Sequence, residues 1–435
     1  MELSRWPGGR YDEPSYTSSV AASPTADRAP ATGLRDVVPA VVASTAVALP
    51  SFLIGALAVQ IRGQVRFSVA ILGVIVACYQ LAAASASLPS TRLVRRVGVL
   101  RVLRVAPLVA ALVLMVIAGL VTSWVALAAM MVVAGAASGA AQPSANLLLA
   151  RRVHIRSQGL AFGIKQSAIP LAGLLSGLAV PAIALTLGWR WAFWLAAVLA
   201  VAAALVVPTK GSVEPDAERG TGGPEDSYEA RAPLVVLAIG FGVALAAASS
   251  LGAFLVPAGV AAGLGRGTAG LVAALGAATA LAVRVLAGFQ ADRRGRAHFP
   301  VVAMLIGIGA VGFALLAVGS GLHSPAVFVP GAVLAYGVGW GWNGLFNFAV
   351  VRTHAAAPAR ATATTQTGGR LGNVVGPLLL GVLASSLGYQ VAWAVAVGEA
   401  LVGAALILLG RKLLRAALAG TVLSAASRVD AQVPG

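Results

Sequence analysis

Charge is scarce in this chain. Only 10% of its 435 residues are Asp, Glu, Lys or Arg, and just 14 are acidic. A soluble domain carries about 25% charged residues, so a solvated globular surface is excluded. Cysteine is almost missing, and the one thiol, Cys78, cannot form a disulfide within the chain. No His, Cys, Asp and Glu cluster has metal-ligand spacing, and there is no phosphate-cradling glycine loop and no nucleophile–base set. The polar segments are too short to house a catalytic domain. The expectation is therefore no enzyme, no cofactor, no metal site and no catalytic residue. Residues 1–36 lack the apolar core of a signal peptide. They are rich in Pro, Ser and Ala with mixed charge, and are expected to form a disordered cytoplasmic tail.

Apolar sequence is what abounds: 59% of residues are hydrophobic, and mean hydropathy is +0.89. Twelve runs are long enough to cross a bilayer as helices. They lie near 37–59, 68–88, 101–121, 124–149, 160–187, 190–208, 233–257, 268–289, 300–319, 326–350, 362–386 and 390–410. The 51 glycines suit helices that pack in lipid, where small residues allow close backbone approach.

The net charge of +17 follows topology, not nucleic-acid binding. With the N-terminus inside, arginines and lysines crowd alternate loops: Arg92 to Arg104, Arg151 to Arg156, Lys210 to Arg231, Arg293 to Arg296, Arg352 to Arg360, and the stretch after Arg411. The opposite loops hold only Arg62, Arg66, Arg190 and Arg266. This asymmetry orients both termini to the cytoplasm. One acidic, glycine-bearing stretch, 209–232, separates 37–208 from 233–410 as a cytoplasmic linker, and 411–435 forms a basic cytoplasmic tail.

The halves repeat. A shift of 200 residues superimposes Gln166 on Gln366 and Leu187-Gly188-Trp189 on Leu387-Gly388-Tyr389, and a shift of 201 superimposes Asn146 on Asn347 and Arg151 on Arg352. Between the eighth and ninth spans runs Gly288-Phe-Gln-Ala-Asp292-Arg293-Arg294-Gly295-Arg296, with Arg284 one helical turn before Gly288. This segment resembles the loop signature of the major facilitator superfamily, G-x-x-x-D-R-x-G-R. The resemblance implies an all-α membrane protein of twelve helices, built as two pseudo-symmetric six-helix bundles about an axis along the membrane normal. It also implies a gating role for Arg284, Gly288, Asp292, Arg293, Gly295 and Arg296. The first-half copy keeps Arg96 and Gly98 but carries Arg95 in place of the Asp and Thr91 in place of the first Gly.

Charges inside spans are expensive and normally face a cavity. Lys165 lies about 10 Å into the fifth span and Arg370 about 15 Å into the eleventh, near the midplane. Arg370 shares a helix face with Gln366, Asn373 and Pro377, while Gly368, Gly372 and Gly376 share another. The polar stripe is expected to face a cavity and the glycine stripe a neighbouring helix. The tenth span places Tyr336, Trp340, Asn343 and Asn347 on one face. The fourth answers with Gln142 and Asn146, and the fifth with Gln166. No acid lies deep in the first, fourth, seventh or tenth span, and Glu399 sits halfway along the twelfth.

These features point to a transporter in a bacterial cytoplasmic membrane that works as a monomer by rocking one half against the other. Its cargo is expected to be a small organic anion. Arg370, with Lys165 near by, would hold the charge; Gln366, Asn373, Asn343, Asn347, Gln166, Gln142 and Asn146 would hydrogen-bond it, and Tyr336 and Trp340 would pack on its body. The bilayer is the other partner, and a coupling ion such as a proton stays open. So do an exporter of apolar drugs and a receptor or assembly protein that borrows the fold without transporting.

Overall fold

In the computed structural model, residues 37–153, 158–209, 231–294, 299–354 and 358–430 are described. Residues 1–36, most of the 209–232 linker, and Gly295 and Arg296 of the loop signature lie outside them. Among the described residues every regular element is helical.

The first half contains α1 (Val37–Ala56), α2 (Ala58–Val65), α3 (Val69–Ser87), α4 (Ser90–Val97), α5 (Val99–Gly119), α6 (Trp124–Arg152), α7 (Gln158–Gln166), α8 (Ala168–Ala179) and α9 (Trp189–Val206). The second contains α10 (Arg231–Ala261), α11 (Arg266–Arg294), α12 (Phe299–Gly321), α13 (Pro325–Ala332), α14 (Asn343–Thr353), α15 (Pro358–Ser386) and α16 (Gly388–Asp430). Twelve crossings result. The fifth joins α7, α8 and a π-helical turn, Val180–Ala184, and the tenth joins α13, a π-helical turn at Val333–Val338, and α14.

Ten of the crossings are long and apolar enough to span a membrane by those criteria alone. The tenth crossing contains no single helix long enough, because turn residues 339–342 part its π-helical turn from α14. The eleventh misses because Gln366, Arg370 and Asn373 make α15 too polar. Side chains such as Leu112, Val198 and Leu205 point outwards from the bundle, as a lipid-facing surface requires. The last helix, α16, continues to Asp430, through residues expected to belong to the tail.

The two halves repeat in backbone detail. Gly188 and Gly388 have φ of +99° and +86°; Gly188 directly precedes α9 and Gly388 is the first residue of α16. A side chain at either position would be strained, so glycine occupies both. Gly98, φ +88°, makes the same kind of turn between α4 and α5.

Glycines set the helix spacing. A Cβ on Gly368, Gly372 or Gly376 would strike the backbone carbonyl of Ala238, Gly242 or Ala246. The glycine stripe of α15 therefore packs on α10, backbone against backbone, as the spacing predicts. Similar contacts join the halves. Gly55 meets Gly252, Gly73 meets Pro377 and Gly381, and Gly177 meets Gly270 and Ala274. All three lie towards the far face, opposite the side where α1 begins. On the near side, Gly163 of α7 meets the backbone of Arg284 and Gly288.

Candidate functional site

The centre of the molecule is built around a break in a helix. Pro170 has no N–H, so it cannot bond the carbonyl of Gln166 four residues earlier. An orphaned carbonyl in the membrane interior is costly. Here it accepts a hydrogen bond from Arg284 Nη1, at 2.6 Å. The same guanidinium donates through Nη2 to the Trp340 carbonyl, at 2.9 Å. Trp340 stands between the π-helical turn and α14, where regular helix bonding lapses. Arg284 is 3% exposed, and its Nε has no partner. One buried cation thus serves two broken helices, one from each half.

Aromatic rings close around it. The Arg284 guanidinium lies 5.6 Å from the centroid of Trp340. Tyr336 meets Trp340 edge to face at 5.2 Å, and Phe52 of α1 lies 6.0 Å from Trp340. Tyr336 reaches across to the first half, since a Cβ on Gly173 of α8 would strike its hydroxyl.

Lys165 is also buried. Its Nζ donates to Gln142 Oε1 of α6 at 2.7 Å, and it feels the charge of Arg284. In the second half a chain of amides runs between α15 and α14. Gln366 Nε2 donates to Asn347 Oδ1 at 2.8 Å, and Asn347 Nδ2 to Asn343 Oδ1 at 3.2 Å. Gly344, beside Asn343, faces the stem of Gln166, so this chain approaches the Arg284 region.

Arg370 lies one turn beyond Gln366 and is half-buried. It makes no hydrogen bond or ion pair with a described residue. Asn373, a turn further on, is half-buried too. Glu399 on α16 is half-buried and does not pair with Arg370.

The sequence-derived candidates therefore fall into three groups. Gln366, Asn347 and Asn343 are bonded into one chain, and Arg370 and Asn373 stand beside it with free donors. Lys165, Gln142, Tyr336 and Trp340 are packed into the walls. Asn146 is exposed on α6. Of the loop signature, Gly288 touches α7, Asp292 and Arg293 lie in the last turn of α11, and Arg96 is exposed on α4. Arg284 belongs in space with the central cations. Sequence reading set it with the loop signature, although Pro170 already marked the Gln166 carbonyl as a group in need of a donor.

The centre combines two buried cations, Lys165 and Arg284, with two aromatics; the bonded row of amides approaches it, Arg370 lies one turn beyond Gln366, and none of these described side chains is a carboxylate. Such a surface favours negative charge and offers many donors to it.

Residues 40–372 match the family model of the Major Facilitator Superfamily. The chain belongs to that superfamily and is a multi-pass membrane transporter. Among solved structures it is similar to a bacterial homologue of the human lysosomal transporter Spinster, in an inward-facing and unoccupied conformation. The identity is 16%, the TM-score 0.69, and the match covers 89% of this chain and 98% of that one. It is also similar to the nucleoside transporter NupG, at 14% identity and TM-score 0.65, covering 86% of this chain and 99% of that one. At these identities the likeness is one of fold. No curated protein sequence matches the chain.

Proposed function

We propose that this transporter carries a small organic anion, with aromatic or apolar character, across a bacterial cytoplasmic membrane. The observation that carries this reading is the unpaired guanidinium of Arg370 in a carboxylate-free centre. A buried or half-buried cation needs a counter-charge or several acceptors. A substrate carboxylate would supply both, gripped through two parallel bonds. Asn373 and the Gln366–Asn347–Asn343 chain would orient it.

The cycle follows from the two-half architecture. The halves 37–208 and 233–410, joined by the 209–232 segment, would rock about the centre as a monomer, with both termini cytoplasmic. Asp292 and Arg293 at the end of α11 would latch the near face. Reconstitution into liposomes tests the reading. Radiolabelled aromatic carboxylates should exchange across the bilayer only when the protein is present, and uncharged analogues should compete poorly. Flux of neutral or cationic solutes with no carboxylate flux would overturn it.

A further inference from the structure

An open, cation-lined pocket of about 590 Å³ lies on the far face, away from the central site. One wall comes from the first half: Arg62 and Gly63 of α2, Arg66 at the end of α2, and Phe67 in the loop before α3. The other wall comes from the second half: Pro257 and Val260 of α10, and Tyr389 at the start of α16. Its lining includes no Asp or Glu.

Its polar groups are mostly uncommitted to protein partners: Arg62 is half-buried and Arg66 exposed. Arg62 commits only Nε, to the Phe67 carbonyl at 2.8 Å. Its other donors, and the whole Arg66 guanidinium, have no partner among the described residues. The Tyr389 hydroxyl is buried without a partner, within electrostatic reach of Arg62. Arg66 itself has φ of +53° and caps α2 in the left-handed conformation. Glycine or asparagine fits that cap most easily. An arginine there retains strain that glycine would remove, and in return places its charge at the cavity mouth. Beside Gly63 there is open space, with nothing within 4 Å of an added Cβ.

We infer that this cavity binds an amphipathic anion. Arg62, Arg66 and the Tyr389 hydroxyl hold a phosphate-like or carboxylate head, and a short apolar tail lies against Phe67, Pro257 and Val260. Both halves contribute walls, so the occupant favours the arrangement in which the far face is closed. The head belongs either to a lipid of the outer leaflet or to a free solute. The chemistry of recognition is the same.

Thermal unfolding of the purified full chain in neutral detergent, with octyl phosphate as the probe, tests this. The melting temperature should rise with octyl phosphate and not with uncharged octyl glucoside. Two variants should fold normally. Arg66→Gly removes the charge and relieves the cap, and should raise the half-maximal concentration about tenfold, the loss of one charge-assisted contact. Gly63→Leu grows into open space with both arginines intact, and should abolish the response. Phosphatidylglycerol that competes with octyl phosphate assigns the lipid source, and failure to compete assigns a free solute. An equal response in the wild type and Gly63→Leu, or an equal response to octyl glucoside, overturns the site.

Discussion

Arg370→Gln separates a ligand-binding arginine from a structural one. The guanidinium is half-buried and bonds no described side chain or carbonyl, so its removal leaves no group orphaned. Stability should then change by less than about 1 kcal/mol, as for other substitutions that break no network. Binding should suffer far more. Truncating one partner of a desolvated charge pair costs about 2–5 kcal/mol. At about 1.4 kcal/mol per tenfold, Kd for a bound carboxylate should rise roughly 30-fold or more. Arg370→Lys keeps the charge and loses the two-pronged grip, so it should fall between the two. A panel of aromatic carboxylates, screened by thermal shift, supplies the ligand, and isothermal titration on each variant supplies Kd. A well-folded Arg370→Gln protein with wild-type affinity refutes the reasoning. So does a variant that fails to fold, since that would make Arg370 a structural group.

Arg284→Gln should behave in the opposite way. It removes two charge-assisted hydrogen bonds to backbone carbonyls, each contributing about 1.5–3 kcal/mol. We expect a stability loss of about 3–5 kcal/mol in thermal unfolding, with Arg284→Lys recovering part of it, and an unchanged melting temperature would remove Arg284 from its structural role. Gly372→Val should abolish the folded, monodisperse peak in size-exclusion chromatography, because its Cβ meets the Gly242 carbonyl and backbone cannot give way. Gly398→Ala is the control, since its surroundings are open; equal yields from both would show that the α10–α15 contact tolerates a side chain.

Much of the architecture is readable from spacing alone. The glycines of α15 recur every four residues, so they share a face, and that face packs on α10. The 200-residue repeat is visible because Gly188 and Gly388 occupy conformations that exclude other residues. The tenth crossing was harder to read. Tyr336, Trp340, Asn343 and Asn347 have uninterrupted helical spacing, yet the chain makes a π-helical turn and breaks before Asn343. Periodicity cannot reveal a break whose cause is tertiary, namely an arginine from another helix that satisfies the freed carbonyl. The burial of Tyr336 and Trp340 was hidden for the same reason. Their rings cover Arg284, which sequence proximity assigns to the loop.

On the far face the halves meet at glycines: Gly55 on the Gly252 backbone and Gly73 on the Pro377 backbone, with Phe52 seated on Gly252 and Val180 on Gly270. Surfaces that meet at glycines carry few projections of their own and would act as a slip plane in the proposed cycle. They can part without withdrawing knobs from holes, and they can meet again without finding a rotamer. In the proposed rocking cycle, friction would concentrate where side chains cross between the halves, above all at the bond between Arg284 and Gln166. The molecule would then resemble a sliding joint with a bolt through its middle, and in the proposed cycle its speed would be set by how readily that bolt is drawn.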